Sequence, residues 1–371
     1  MKRRTFIKSA ICLGCAGVLG VTSYKLMNSA QNFHGATKAD LDKFRINSVK
    51  KLPTQIRLDV CNMCQLDCVK CYMRRNESVI EKECGGFGYL PFENFKKLCD
   101  ENPQIEKMEI SNNGEIFLNP DLDKILQYAY YMGIDIHVSG GVNLNTVSEQ
   151  TLENLVKYQV KILTVSIDGA TPETYSIYRR GGDFDTVINN CKIINKFKQK
   201  YDSFFPELNY KFILFGHNEH EIQAAKELAK KLNMNIQFAS NYAVDYSPLK
   251  NVDKVIAQTG QKSFEGEIYD CFKKFSSNVS DWYFCTDFFA QPQFNWNGDL
   301  LGCCLNFLRP FKSNLFKDGL LKALNDTEYL YSKLMLTNFD FKPLDGSPCS
   351  ICSCYKNLID NNYPFRLRKI L

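Results

Sequence analysis

The sequence predicts an α/β protein in which a partial (β/α)6, TIM-like barrel precedes a small cysteine-rich domain. Strand-like and helix-like segments alternate over residues 54–240, which is the pattern of βαβ units around a parallel sheet. Six strand-like segments occur there, whereas a complete barrel has eight. Beyond residue 241 the alternation stops, and residues 285–371 carry a separate group of cysteines.

Each element is predicted from its own residues. Alternating apolar residues predict strands, and apolar residues at three- and four-residue spacing predict helices. Pro120 supports a helix beginning at residues 119–121, because the first helical turn does not need the N–H group that proline lacks. The predicted strands are Thr54–Val60, Glu106–Ile110, Ile134–Val138, Val160–Ile167, Leu208–Phe215 and Asn235–Ser240. The predicted helices are Phe92–Asp100, 119–131, Ser148–Tyr158, Phe184–Lys200, Glu219–Leu232 and Asn325–Leu336.

Composition excludes several classes of protein. The 371 residues carry a formal net charge of +5, but residues 1–30 contain five basic residues and no acidic one, so the remainder is neutral. A nucleic-acid-binding protein that relies on overall positive charge is therefore excluded. The 13% of aromatic residues argue against disorder. No apolar run reaches the about 20 residues of a spanning helix, which excludes repeated membrane crossings.

The first residues resemble a twin-arginine export signal. Arg3-Arg4 lies in a charged segment, and residues 9–23 form a modest apolar stretch rich in glycine and alanine. The resemblance implies a signal segment at residues 1–30, recognised by the twin-arginine export machinery. Residues 31–52 are polar and carry little pattern, which predicts a linker. The resemblance also implies a periplasmic or membrane-associated protein. If the signal is not used, the protein stays in the cytoplasm.

The sixteen cysteines are grouped rather than scattered. Tight spacing lets neighbouring thiolates converge on one ion or cluster, because a short loop can turn several sulfur atoms inward. Cys84, Cys99 and Cys191 lie in or near patterned segments and are interpreted as ordinary thiols. The grouped cysteines are Cys61, Cys64, Cys68 and Cys71 near the first strand, and Cys285, Cys303, Cys304, Cys349, Cys352 and Cys354 near the C-terminus.

The first group contains a CxxxCxxC motif followed by an aromatic residue, directly after the first predicted strand. Cys64, Cys68 and Cys71 have the spacing to hold three irons of a [4Fe–4S] cluster and to leave the fourth iron open for a ligand. The alternative is a structural zinc loop, in which Cys61 is the fourth ligand. Spacing alone leaves both interpretations open.

The motif and the segments after it resemble the radical S-adenosylmethionine (SAM) superfamily. This resemblance implies that the open iron binds SAM and that one electron cleaves SAM to methionine and a 5′-deoxyadenosyl radical. The radical then removes a hydrogen atom from a substrate. The resemblance further implies an electron donor such as flavodoxin or ferredoxin, and it places Tyr72 against SAM.

Three further segments carry the resemblance, each after a predicted strand. Asn113-Gly114-Glu115 resembles the family's GGE segment, with Asn113 replacing the first glycine, and it implies that Gly114 and Glu115 meet the amino group of SAM. Ser139-Gly140-Gly141-Val142-Asn143 resembles the usual TNG turn, but Gly140 replaces its asparagine, so no SAM contact is assigned there. Ser166-Ile167-Asp168 resembles the segment that contacts the ribose, and Arg179 resembles an arginine that pairs with the SAM carboxylate.

The second group resembles a SPASM-type auxiliary-cluster domain. Cys285, twelve residues, Gly298, four residues and Cys303 precede the CxxC pair Cys349 and Cys352. The resemblance implies that these four cysteines hold a second, auxiliary [4Fe–4S] cluster, with Cys304 and Cys354 left over. Asn297-Gly298 predicts a hairpin turn between Cys285 and Cys303. A zinc ribbon is the alternative, because four cysteines in two pairs also suit tetrahedral zinc.

The resulting domain prediction is a barrel at residues 53–240, a connecting segment at 241–284 and the auxiliary domain at 285–371. His217 and His220 are interpreted as part of a helix start, at which Asn218 and Glu221 form a capping box. The predicted function is radical SAM chemistry on a peptide or protein side chain, or on a sugar-like small molecule. The alternative is an exported iron–sulfur protein that transfers electrons or binds a ligand without radical chemistry.

Overall fold

The computed structural model describes residues 52–241, 243, 245–261, 283–306, 309–337, 344, 346–352 and 355. The strands of this part of the chain form one eight-stranded sheet with the order β6-β5-β4-β3-β2-β1-β7-β8. They are β1 (Gln55–Leu58), β2 (Lys107–Glu109), β3 (Asp135–Val142), β4 (Ile162–Ser166), β5 (Glu207–Leu214), β6 (Asn235–Ser240), β7 (Gln293–Phe294) and β8 (Leu300–Gly302).

The first six strands are parallel neighbours in chain order, as a partial (β/α)6 barrel requires. The predicted fold class is therefore confirmed. The largest displacement of a strand end is at β3, which continues four residues beyond the predicted end at Val138. Its pairing with β4 is irregular between Val138 and Val142, because the glycine pair Gly140-Gly141 lies in that interval.

Helices connect the strands and cover one face of the sheet. They are α1 (Tyr72–Arg75), α2 (Glu77–Glu83), α3 (Phe92–Glu101), α4 (Leu122–Met132), α5 (Glu149–Lys157), α6 (Pro172–Tyr178), α7 (Phe184–Lys200), α8 (Ile222–Lys231), α9 (Val252–Thr259), α10 (Tyr283–Ala290), α11 (Leu315–Asp318), α12 (Leu320–Ala323) and α13 (Thr327–Thr337). Helix α7 has the predicted bounds. The prediction of an irregular segment at 241–284 is wrong over α9, where Asn251 caps the first turn and Gly260 ends the helix with a φ of +71°.

The two faces of the sheet differ in chemistry. Residues such as Ile56, Met108 and Val165 point to the helices and are at most 1% exposed. The inner face carries polar side chains instead, among them Glu109 and Lys211. A closed TIM barrel fills this space with branched apolar side chains. The inner face of the six parallel strands β1–β6 is therefore polar, and the space that this face lines is called the polar chamber.

The C-terminal cysteine-rich part is continuous with the barrel sheet. Strand β7 pairs in parallel with β1, and β7 and β8 form an antiparallel hairpin. Gly298 occupies the hairpin turn with a φ of +89°, so the predicted turn is confirmed. The backbone of Cys285 lies in α10, ahead of the hairpin, and its side chain lies outside the described residues.

The signal segment and nearly all of the linker lie outside the described residues. Over the part of the chain that the structure describes, no helix combines the length and the apolar character needed to cross a membrane.

Candidate active site

The loop after β1 brings three cysteines together. Cys64, Cys68 and Cys71 belong to one small cluster of side chains, which also contains Tyr178 and Phe215. Burial raises the pKa of Cys64 to about 12, and repulsion from the other two thiolates adds to this effect. Thiols with raised pKa values that face one another fit a cationic metal centre, which stabilises the thiolate form.

Cys61 lies apart from these three thiols. It is fully buried, its thiol points to the carbonyl oxygen of Met63 at 3.9 Å, and its charged neighbours are Glu115 and Asp59. Among the described residues, no three His, Cys, Asp or Glu side chains group closely enough for a single metal ion. Because Cys61 does not belong to the side-chain cluster that Cys64, Cys68 and Cys71 share, the structure gives no support to a zinc site completed by Cys61.

Replacing Cys61 with alanine is expected to leave the iron content of the anaerobically reconstituted protein unchanged. The matched variant Cys68→Ala is expected to lose the iron of one cluster, about four atoms per chain, because it removes one of three ligands. The iron content per chain and the absorbance of the sulfur-to-iron charge-transfer bands are measured for both variants. Equal iron loss in the two variants would restore Cys61 as a ligand.

The loop after β2 packs directly against the cysteine loop. Gly114 has a φ of +68°, and a Cβ atom there would lie 2.5 Å from the carbonyl oxygen of Cys61. The N–H group of Glu115 donates to the carbonyl oxygen of Met63 at 2.7 Å. Only glycine permits this approach. The Gly-Glu pair is therefore fixed against the cysteine loop.

Glu115 presents one carboxylate oxygen without a donor. Its Oε2 accepts the N–H of Asn143 at 2.6 Å, whereas Oε1 is buried and has no hydrogen-bond partner among the described residues. Burial raises the pKa of Glu115 to about 7, against the opposing effects of the N–H groups of Asn143 and Phe117. The backbone N–H of Phe117 lowers the pKa of Glu115, but it does not form a hydrogen bond with Oε1. An amino group placed there would satisfy the free oxygen.

Asp59 explains why asparagine stands where the family has glycine. Its carboxylate accepts the N–H groups of Asn112 and Asn113, both at 3.1 Å, and the side-chain amide of Asn113 at 2.7 Å. Gln293 on β7 donates to the same carboxylate at 3.0 Å. Asp59 thus ties the Gly-Glu loop to the C-terminal hairpin. The sequence analysis missed it, because an aspartate at a strand end carries no motif.

Arg179 lies beside Cys68, and Asp168 holds it there. The guanidinium donates to the thiol of Cys68 at 3.7 Å and to Asp168 at 2.6 Å. Asp168 is fully buried, and its other oxygen accepts the N–H of Ile213 at 2.6 Å. Burial lowers the pKa of Arg179, but the charges of Asp168, Cys68 and Tyr178 and the hydrogen bond to Asp168 together outweigh it, so the pKa is raised. A cation is thereby fixed next to the thiol of Cys68.

The remaining residues predicted to contact SAM are Ser166 and Tyr72. Ser166 is buried at the end of β4, next to Gly141. Tyr72 begins α1 and is 47% exposed. Asn143, for which no SAM contact was assigned, reaches the cysteine loop, with its side-chain amide 3.7 Å from the thiol of Cys64 and its Oδ1 accepting from Gln65 at 2.8 Å. Its position after the extended strand β3 brings it there.

The capping-box prediction at the start of α8 is wrong. Asn218 accepts the N–H of Phe215 at 2.8 Å instead of an N–H in the helix. Glu221 accepts from the N–H of Ala170 at 2.7 Å and from the hydroxyl of Thr171 at 2.6 Å. Both side chains are buried, so they satisfy the loops that follow β4 and β5 rather than the helix end.

The second cysteine group also comes together. Burial raises the pKa of Cys303, and repulsion from the thiolates of Cys304, Cys349 and Cys352 adds to this effect. Cys304 turns away toward Asp287, at 3.8 Å. The thiols of Cys349 and Cys352 therefore lie within electrostatic reach of Cys303, although more than forty residues separate the hairpin from the CxxC pair. Cys271 and Cys354 lie outside the described residues.

Comparison with known proteins identifies the class of one domain. Residues 58–230 match the model of the Radical SAM superfamily, so this part of the chain is a radical SAM domain, and the match supports an enzyme. A curated relative, the AdoMet-dependent heme synthase of Methanosarcina barkeri (strain Fusaro / DSM 804), is 28% identical over 182 residues, which are 48% of each chain. The chain therefore spans about half the length of that relative.

Solved structures agree on the fold. SuiB of Streptococcus suis bound to its precursor peptide SuiA has a TM-score of 0.58 at 17% identity, over 86% of this chain and 73% of that chain. SuiB bound to S-adenosylmethionine has a TM-score of 0.55 at 16% identity, over 86% and 72%. At these identities the likeness is one of fold.

Proposed function

We propose that this enzyme cleaves SAM reductively at a [4Fe–4S] cluster held by Cys64, Cys68 and Cys71. The observation that carries the proposal is the convergence of the three thiols with the free oxygen of Glu115 and the cation of Arg179. When bound, the cluster and SAM supply the electron and the 5′-deoxyadenosyl radical that removes a hydrogen atom from the substrate.

The residues of the chain bind and orient SAM. Glu115 would accept a hydrogen bond from its amino group, and Arg179 would pair with its carboxylate, since both groups lie beside the cysteine loop. Asn143 holds Glu115 and the cysteine loop in register. Ser166, at the end of β4, is the proposed ribose contact. Asp168 acts through Arg179, because its carboxylate is already occupied.

A second [4Fe–4S] cluster is proposed at Cys303, Cys349 and Cys352, with Cys285 as the fourth ligand. The grouping of the first three thiols supports this proposal. An auxiliary cluster would take up an electron in an oxidation or help to anchor the substrate. Asp59 accepts hydrogen bonds from both the Gly-Glu loop and Gln293 of the hairpin, so it links the two proposed cluster sites.

A peptide is the proposed substrate. The shared fold with a structure bound to a precursor peptide supports this choice over a sugar-like molecule. Among the described residues, the inner-face residue Gln237 on the edge strand β6 is exposed, which would let an extended chain approach the polar chamber from that side. Flavodoxin or ferredoxin is the proposed electron donor.

The deciding experiment assays 5′-deoxyadenosine after anaerobic purification, reconstitution and reduction with dithionite, with iron counted in the same sample. Two clusters predict about eight irons per chain, and the variant Cys64→Ala should cleave no SAM. Iron without SAM cleavage in the wild type would favour the electron-transfer alternative. Zinc that persists after reconstitution would exclude both.

We also propose that residues 1–30 direct export. The proposal rests on Arg3-Arg4 and the apolar stretch that follows. A fusion of this segment to a reporter should be exported, and replacement of both arginines with lysine should retain the reporter in the cytoplasm. A reporter that stays inside in both cases would contradict it.

A further inference from the structure

Lys211 is a lysine on the inner face of the barrel that the proposed SAM site does not use. It lies on β5, paired in register with Ser166 on β4 and Gln237 on β6. Residues paired in this way point to the same face of the sheet. Lys211 therefore extends into the polar chamber, half-buried, between a buried serine and an exposed glutamine.

The glycine pair that departs from the family's TNG turn lies directly against this lysine. The ammonium of Lys211 donates to the carbonyl oxygen of Gly140 at 2.9 Å. Gly141 has a φ of +113°, and a Cβ atom there would overlap the hydroxyl of Ser166 and lie 3.7 Å from Lys211 Nζ. At Gly140 a Cβ atom would overlap the carbonyl of Ser111. The two glycines and Lys211 therefore lie next to one another.

The carboxylates around Lys211 already have other partners. Glu109 accepts from the hydroxyl and N–H of Ser111 at 2.6 and 3.0 Å and from the N–H of Ser139 at 2.9 Å. Asp168 is paired with Arg179. Lys211 forms no ion pair with any described residue, and Gly140 is the one hydrogen-bond partner of its three N–H donors there. Two donors are left to face the chamber.

The ammonium is also close to the proposed SAM site. Its charge interacts with Asp168 and Arg179, and Arg179 contacts Cys68. A group bound by Lys211 would therefore lie inside the chamber near the reacting centre. In this partly desolvated position, an ammonium attracts an anion more strongly than it would in water.

We propose that Lys211 selects the substrate by binding one of its carboxylates. This inference rests on the proposed function and names its substrate class, a peptide with an acidic group near the modified position. Two sources share this chemistry, an acidic side chain and a C-terminal carboxylate. Lys211 is the specificity-determining residue, and the glycine pair positions it.

The test measures peptide binding to the reconstituted holoenzyme with SAM bound, by isothermal titration calorimetry. Three acetylated tripeptides serve as probes: Gly-Glu-Gly amide, Gly-Gln-Gly amide and Gly-Gly-Gly with a free C-terminus. At least one carboxylate peptide should bind about tenfold more tightly than the glutamine peptide, and the stronger of the two identifies the source. Lys211→Met should lose this preference, and Lys211→Arg should retain part of it. Lys192→Met, an exposed lysine on α7, is the matched control and should behave as the wild type.

Equal binding of all three peptides, or a preference that survives in Lys211→Met, would overturn the inference. SAM cleavage by the wild type without peptide tests the proposed function separately. An enzyme that cleaves SAM but shows no carboxylate preference would lose only the role of Lys211. A protein that prefers carboxylates but never cleaves SAM would lose only the radical chemistry.

Discussion

Replacing Gly114 with alanine is expected to weaken SAM binding about a hundredfold. The new Cβ would lie 2.5 Å from the carbonyl oxygen of Cys61 and 2.6 Å from Cα of Asn62, and both are backbone atoms that cannot rotate away. The φ of +68° adds strain for any residue with a side chain. Together these effects destabilise the present loop conformation by about 3 kcal/mol. The loop is expected to relieve this strain by moving away from the cysteines, and this movement weakens SAM binding. A hundredfold change in Kd corresponds to about this energy.

Gly86→Ala is the matched control. Gly86 has a φ of +81°, but a Cβ atom there would meet no atom within 4 Å. It therefore reports backbone strain without the clash. Equilibrium dialysis of SAM against both reconstituted variants gives the two Kd values. If Gly86→Ala weakens binding as much as Gly114→Ala, the close approach of the two loops is not what holds SAM.

Replacing Arg179 with leucine is expected to lower the free energy of unfolding by about 3–5 kcal/mol, because the carboxylate of Asp168 is then buried without its cation. The side chain of Arg179 is 13% exposed and that of Asp168 is fully buried, so water cannot compensate. Urea unfolding of the anaerobic apoprotein measures this change. The reconstituted variant should also bind SAM more weakly, since Arg179 is the proposed carboxylate partner.

Two variants separate the buried pair from a general loss of stability. Arg179→Leu combined with Asp168→Asn should regain part of the lost stability, because asparagine removes the charge and keeps an acceptor for the N–H of Ile213. Lys96→Met breaks an exposed ion pair with Asp100 and should change stability little. If the double variant is no more stable than Arg179→Leu, the unpaired charge is not the cause.

The strands and helices of the barrel could be predicted because their signals are local. Apolar residues at period two define β4 and β5, and the amphipathic run of α7 gives its bounds without error. Helix α9 was missed although Asn251 and Gly260 are ordinary end signals, because its eight residues are too few for a clear apolar period. The joining of β7 to β1 pairs residues more than two hundred positions apart, and no local pattern reports it.

In the candidate site, too, some relations could be predicted from the sequence and others could not. The sequence by itself predicted the three cysteines of the first motif from their spacing, and it predicted the Gly-Glu pair and Arg179 as site residues from the family that their segments resemble. The tertiary structure alone showed that the Cys61 thiol points to the carbonyl oxygen of Met63, that Asp59 holds Asn113, and that Lys211 donates to the carbonyl oxygen of Gly140. The last two relations join residues that are far apart in the sequence. They depend on how the strands pack against one another, because buried polar groups take whichever partner that packing brings within reach.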